Sequence, residues 1–148
     1  MEFVNEVTAH LENKPGRLAK ICSALAHEKV HIQALCVMDS HDRSVLRLVT
    51  DDVAQTKKVL TSIGTESQAC EVLGVEVDNS PGALAKILER LAAEHINIEY
   101  AYVAGGASPG KSLAIFHTSN PKKALQVLTD HNAKGVDHSN GRRPLHVR

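Results

Sequence analysis

The 148-residue chain has room for one ordinary domain or two small ones, and 43% hydrophobic with 23% charged residues describes a soluble globular protein. Seventeen Lys and Arg balance seventeen Asp and Glu, which excludes the excess of positive charge that nucleic-acid binding rests on. No apolar run reaches the ~18 residues of a membrane span, no basic-then-apolar leader opens at Met1–Glu6, and the three cysteines have no CxxC spacing, so a cytoplasmic protein with reduced thiols is expected.

In chain order, residues 3–11 alternate, with Phe3, Val7, Ala9 and Leu11 on one side and Glu6, Thr8 and His10 on the other, which predicts a half-buried strand. Pro15-Gly16 interrupts it. Leu18, Ile21, Cys22 and Leu25 then recur at helical spacing, with Pro15 suited to a first helical turn. Val30–Val37 and Ser44–Thr50 are β-rich. Asp51–Ile63 predicts a helix with two acids at its positive end and Val59, Leu60 and Ile63 on one face. A strand near Gln68–Leu73 closes this first half.

The pattern then starts again. Leu73, Val75 and Val77 repeat the opening strand, and Ser80 is the expected N-cap of a helix carrying Leu84, Ile87, Leu88 and Leu91. Ile96–Val103 and Lys111–Thr118 are the next strands. Asn120–Asp130 is the second helix, opened by Pro121, with Ala124, Val127 and Leu128 inward. A short strand near Lys134–Asp137 and a tail at 139–148 complete the chain.

Sliding the sequence by 66 positions makes the repetition explicit. Between 13 and 37, twelve of twenty-five positions are identical to their counterparts, among them Asn13/Asn79, Pro15/Pro81, Gly16/Gly82 and Leu18/Leu84. Chance would match roughly one position in sixteen, so the chain reads as a tandem duplication with units 1–70 and 71–138. Each unit reads β-α-β-β-α-β, giving an α+β fold of two ferredoxin-like units, antiparallel sheets with helices on one face. Units of ~70 residues bury little surface alone, so further pairing into a homodimer is expected.

Asn13-Lys14-Pro15-Gly16-Arg17-Leu18-Ala19-Lys20-Ile21 followed by Val30-His31-Ile32-Gln33, and Asn79-Ser80-Pro81-Gly82-Ala83-Leu84-Ala85-Lys86-Ile87 followed by His95-Ile96-Asn97-Ile98, resemble the opening of the ACT domain, the small regulatory module of amino-acid metabolism. The resemblance extends through Leu46-Arg47-Leu48-Val49 and Asp51-Asp52, over nearly the whole chain. It implies a non-catalytic regulator that binds a free amino acid where two ACT units meet, without cofactor or metal. A metabolic enzyme would be its partner, by analogy with regulatory subunits of acetolactate-synthase-type enzymes; an interaction subunit that binds no small molecule is the alternative. The residues fit such a site: a helix start offers unpaired N–H groups to a carboxylate, Gly16 and Gly82 allow close approach, and Asn13 and Asn79 supply a donor and an acceptor. Candidate ligand-binding residues are therefore Asn13, Pro15, Gly16, Arg17 and Leu18, with Asn79, Pro81, Gly82, Ala83 and Leu84 in the second unit. By resemblance, the facing wall comes from a neighbouring unit's second strand: His31 and Ile32, or Asn97 and Ile98.

Other motifs carry less. Gly105-Gly106-Ala107-Ser108-Pro109-Gly110-Lys111-Ser112 matches the phosphate-loop pattern, but the β-like Leu113–Thr118 follows where that mechanism needs a helix, so a Gly-rich hairpin loop is expected instead, with a mobile lid over a nearby ligand as one role open to it. The nine histidines are scattered without metal-ligand spacing. Tyr100 and Tyr102 share a strand face where the first unit has Ala34 and Cys36, and packing at an interface or in a core with the hydroxyl reaching water is the expectation for them, with lining of a pocket as the alternative.

Overall fold

A computed structural model describes residues 1–40, 43–106 and 108–130. The expected strand at Lys134–Asp137 and the tail at 139–148 lie outside the described residues. The elements run β1 (Glu2–Glu12), α1 (Arg17–His27), β2 (Ile32–Ser40), β3 (Arg43–Thr50), α2 (Val53–Ser62), β4 (Ser67–Asp78), α3 (Ala83–Ala93), β5 (Ile98–Gly105), β6 (Lys111–Thr118) and α4 (Pro121–Asp130). They match the expected order.

The strands form one antiparallel sheet in the order β2-β3-β1-β4-β6-β5. The expected closing strand of the first half and opening strand of the second are one twelve-residue strand. β4 pairs β1 through Ser67–Gly74 and β6 through Leu73–Asp78. It crosses position 70/71 unbroken.

Each half has its own helix-side core. Val7, Ala9, Leu11, Leu46 and Leu48 receive Ile21 and Leu25 of α1 with Val59 and Leu60 of α2. Leu73, Val75, Val77, Ala114 and Phe116 receive Leu91 of α3 with Ala124 and Leu128 of α4. These are the apolar faces read from the periodicity. Burial of such side chains, at roughly 1.5–3 kcal/mol each, is the main drive for the fold.

Local chemistry repeats as well. Asp52 caps α2 by accepting from Gln55 N at 2.9 Å, and Asn120 Oδ1 accepts from Lys123 N at 3.1 Å at the start of α4. Both α1 and α3 end with a left-handed residue, Lys29 (φ 58°) and His95 (φ 56°), after which Val30 N and Ile96 N reach back to Leu25 O and Leu91 O. That six-to-one closure consumes residues 30 and 96. It explains why β2 and β5 begin at Ile32 and Ile98, two residues later than their β-rich composition suggests.

Registers show how the repeat is offset. Leu35 pairs with Leu48 and Ala101 with Phe116, so β2 and β5 differ by 66 positions but β3 and β6 by 68. The two extra residues lie in the β5–β6 hairpin, which absorbs the phosphate-loop lookalike. Lys111 begins a strand there, as expected, where a phosphate loop would begin a helix.

A third core lies on the sheet's other face, where the two halves meet. Ala34, Val49, Val72 and Ile115 are buried there, with Val4, Cys70, Tyr102 and Leu113 packed beside them, and edge strands β2 and β5 come against each other. The sheet therefore curls, with its helix-free face inward.

Candidate functional site

The two helix tips have matched backbones. Gly16 and Gly82 precede α1 and α3 at φ 84° and 85°, a left-handed conformation that glycine adopts without the Cβ penalty. Neither helix has a side-chain N-cap, so Ser80 does not serve as one: its carbonyl, rather than its hydroxyl, accepts from Ala83 N at 3.3 Å. Asn13, Pro15 and Gly16 are exposed, as are Asn79, Pro81, Gly82 and Leu84; Leu18 and Ala83 are half-buried.

An acid sits beside each tip and is already neutralised. Glu12 Oε2 lies 3.1 Å from Lys14 Nζ and 3.2 Å from Arg17 Nη2, and those cations, Lys14 above all, hold its carboxyl below the usual range. Its counterpart Asp78 pairs with Lys111 and is lowered in the same way. Arg17 thus points back to its own strand end. It lines a recess of about 370 Å³ with His10, Leu11, Glu12, Arg43 and Gly64.

The facing-wall residues are tied to strand junctions. His31 N donates to Asp51 Oδ1 at 2.9 Å and Asn97 N to Ser119 Oγ at 3.1 Å, again equivalent positions. Ile32 and Ile98 pack partly into the two helix-side cores.

His31 and Ile32 also enter a larger cleft, of about 580 Å³, between the halves. Its other lining residues are Met1, Glu2, Val4, Gln33, Gly74, Glu76, Gly105, Gly106 and Leu113. The second tip leans on the same hairpin, since Asn79 N donates to Gly110 O at 2.9 Å. The structure thus brings the start of β2 in one half to β4 and the Gly-rich hairpin of the other. It does not bring Asn13, Pro15 or Gly16 to that cleft. Gly74 was the available clue to it: a lone glycine inside a strand pattern marks close approach of something to the backbone.

Alternation alone gives no hint of the polar cluster in the inter-unit core. Glu6 is fully buried. Its Oε2 accepts from Tyr102 Oη at 2.6 Å, and its Oε1 from Tyr100 Oη at 2.5 Å and Arg47 Nη1 at 3.4 Å. The Arg47 guanidinium sits 3.6 Å from the centre of the Tyr100 ring, whose other neighbour is His117, stacked at 4.8 Å and 9°. Burial first, then the Glu6 carboxylate, pushes both tyrosines far above the ordinary phenol range. Burial likewise raises the Cys70 thiol. A register shift between Ile98 and Tyr100 turns the tyrosines to this face.

A duplicated β-α-β-β-α unit with glycine-led first helices is now established, and comparison with known families decides its kinship. The pattern of the ACT domain pair matches residues 2–143. The chain belongs to the ACT domain family. Among solved structures, protein BT0572 from Bacteroides thetaiotaomicron is 32% identical, with a TM-score of 0.80 over 88% of this chain and 89% of that one. The regulatory subunit of aspartate kinase from Thermus thermophilus, in a ligand-free form, shares 19% identity and a TM-score of 0.64 over 90% and 97% of the chains. Its Thermus flavus counterpart gives 19% and 0.59 over 89% and 94%. At 19% these two show a shared fold. Comparison with curated proteins found no match.

Proposed function

We propose that this ACT domain pair is a non-catalytic cytoplasmic regulator that binds a free amino acid where its two units meet. The observation that carries the reading is the inter-unit cleft. It is a hollow of small-molecule size in which His31 and Ile32 of one unit face Glu76 and the Gly105–Gly106 turn of the other. The glycine-led tips, with Asn13, Arg17 and Asn79 beside them, are the second group of candidate contacts. Regulation follows if ligand affinity differs between two arrangements of the units, or of the chain with a metabolic enzyme partner.

Thermal shift against the twenty amino acids tests this. A ligand at 100 times its dissociation constant stabilises by ~2.7 kcal/mol. At 2–4 °C per kcal/mol that is a rise of roughly 5–11 °C. No response to any of them would refute the reading.

A homodimer is the second part of the proposal. Leu35 (37% exposed) and Val37 (41%) on β2 and Val103 (55%) on β5 turn away from the inter-unit core, on two edge strands that lie against each other. Such apolar exposure on sheet edges favours a protein contact. Light scattering after gel filtration should give twice the 16.0 kDa chain mass.

A further inference from the structure

The two halves meet on the sheet's inner face, and the duplication gives that face two unlike ends. By strand register, the positions equivalent to Glu6, Tyr100, Tyr102 and Arg47 are Val72, Ala34, Cys36 and Ile115. At one end a buried carboxylate on β1 accepts from two tyrosines of β5 and from Arg47. At the other, Val72, Ala34 and Ile115 meet as apolar side chains. The cleft adjoins this apolar end, since Val4 and Leu113 pack against it and also line the cleft.

The inter-unit face is the least apolar of the three cores. Its buried members are Ala34, Val49, Val72 and Ile115, whereas the helix-side cores are filled by leucines, isoleucines and Phe116. The rest of its cohesion is polar, and water replaces the lost hydrogen bonds when Glu6 and Arg47 are exposed. Parting the halves here therefore costs less than stripping a helix from the sheet. The strand that would move is β5, an edge strand held in the sheet by β6 alone. It carries Tyr100 and Tyr102 near its start. At its end is Gly105, on the cleft wall, about 10 Å along the strand from Tyr102.

We propose that the Glu6–Tyr100–Tyr102–Arg47 cluster is a latch that opens and closes locally, and that β5 carries its state to the cleft as a lever about the β1–β4 spine. The reading above enters this inference only in what the cleft holds.

Native thiols supply the test. Cys70 Sγ lies 3.8 Å from Glu6 Oε1, and Cys36 stands opposite Arg47 in the β2–β3 ladder. Cys22, on α1, is away from the latch and serves as the internal control. Their rates of modification by a maleimide, resolved by peptide mass spectrometry on the full chain in native buffer, report local opening. Tyr102→Phe should speed Cys36 and Cys70 at least about fivefold relative to Cys22. Tyr100→Phe, in which Glu6 Oε1 keeps Arg47, should speed Cys36 by less, and it decides alone if Tyr102→Phe does not fold. Val77→Ala, which thins a helix-side core, should show no preference for these two thiols.

Adding the amino acids other than cysteine, as one equimolar mixture, should slow Cys36 and Cys70 in the wild type and reverse part of the Tyr102→Phe effect. Rates that rise equally at all three thiols, or at none, would overturn the latch. A mixture that raises the melting temperature but leaves both rates unchanged would overturn the lever and leave the regulator reading standing. Flat thermal shifts with selective opening at Cys36 and Cys70 would refute the regulator reading and uphold the latch.

Discussion

Replacing Tyr102 by Phe removes one hydroxyl from the inter-unit core, and its cost can be compared with that of the same change at Tyr100. Both hydroxyls donate to the fully buried Glu6 carboxylate, at 2.6 and 2.5 Å. The two oxygens differ in what is left. Oε1 keeps Arg47 Nη1 at 3.4 Å after Tyr100→Phe, and Thr8 Oγ1 at 3.5 Å, whereas Oε2 has Tyr102 as its donor among the described residues. A hydrogen bond to a charged group contributes about 1.5–3 kcal/mol, and a buried acceptor left without a donor raises the cost further. Tyr102→Phe should therefore cost ~3 kcal/mol and Tyr100→Phe ~1.5 kcal/mol. For a chain of this length, that separates their melting temperatures by roughly 3–6 °C. Urea unfolding followed by far-ultraviolet circular dichroism measures both, with unchanged m-values confirming that the folded state is intact. Equal losses, or a Tyr102→Phe cost below about 0.5 kcal/mol, would show that Glu6 does not depend on these donors and refute the reasoning.

The same cluster sets a response to alkali. Because both phenol pKa values are raised in the folded state, the unfolded chain ionises first. Stability should hold steady below about pH 10 and fall as pH rises beyond it, with phenolate absorbance from the chain's two tyrosines appearing together with unfolding. Lys29→Gly and His95→Gly relieve left-handed backbone and should each raise stability by about 0.5–1 kcal/mol, whereas Gly16→Ala should lower it by about 1 kcal/mol on conformational grounds, since nothing crowds a Cβ there. Asp52→Ala, which removes a real cap, should cost about 1 kcal/mol; Ser80→Ala should stay within about 0.5 kcal/mol.

What the sequence made legible is what is local. Periodicity marked the helices and strands and their core faces, and the run Leu113–Thr118 identified the β5–β6 hairpin despite a phosphate-loop lookalike. Alternation placed Glu6 opposite Phe3, Val7 and Ala9, on what reads as a wet side of β1. Its donors come from Tyr100 and Tyr102, more than ninety positions away, and only curling of the sheet brings them together. The candidate residues at the tips were visible as repeated words, Asn-x-Pro-Gly. The cleft as a whole was not, because its walls come from β1, β2, β4, β5 and β6 at once; His31, Ile32 and the Gly-rich hairpin marked part of it, and the glycine inside β4 was the further clue.

The double role of β4 bears on any attempt to take the protein apart. One continuous segment serves as the last rung of the first unit and the first rung of the second, so scission near residue 70 would strip both of a neighbour. Neither half is then a self-sufficient fragment, and denaturation should proceed as one event for the pair. Sequence drift is constrained alike: a change in Val72 or Leu73 is inherited by both descendants of the duplication, tying their fates to a shared spine.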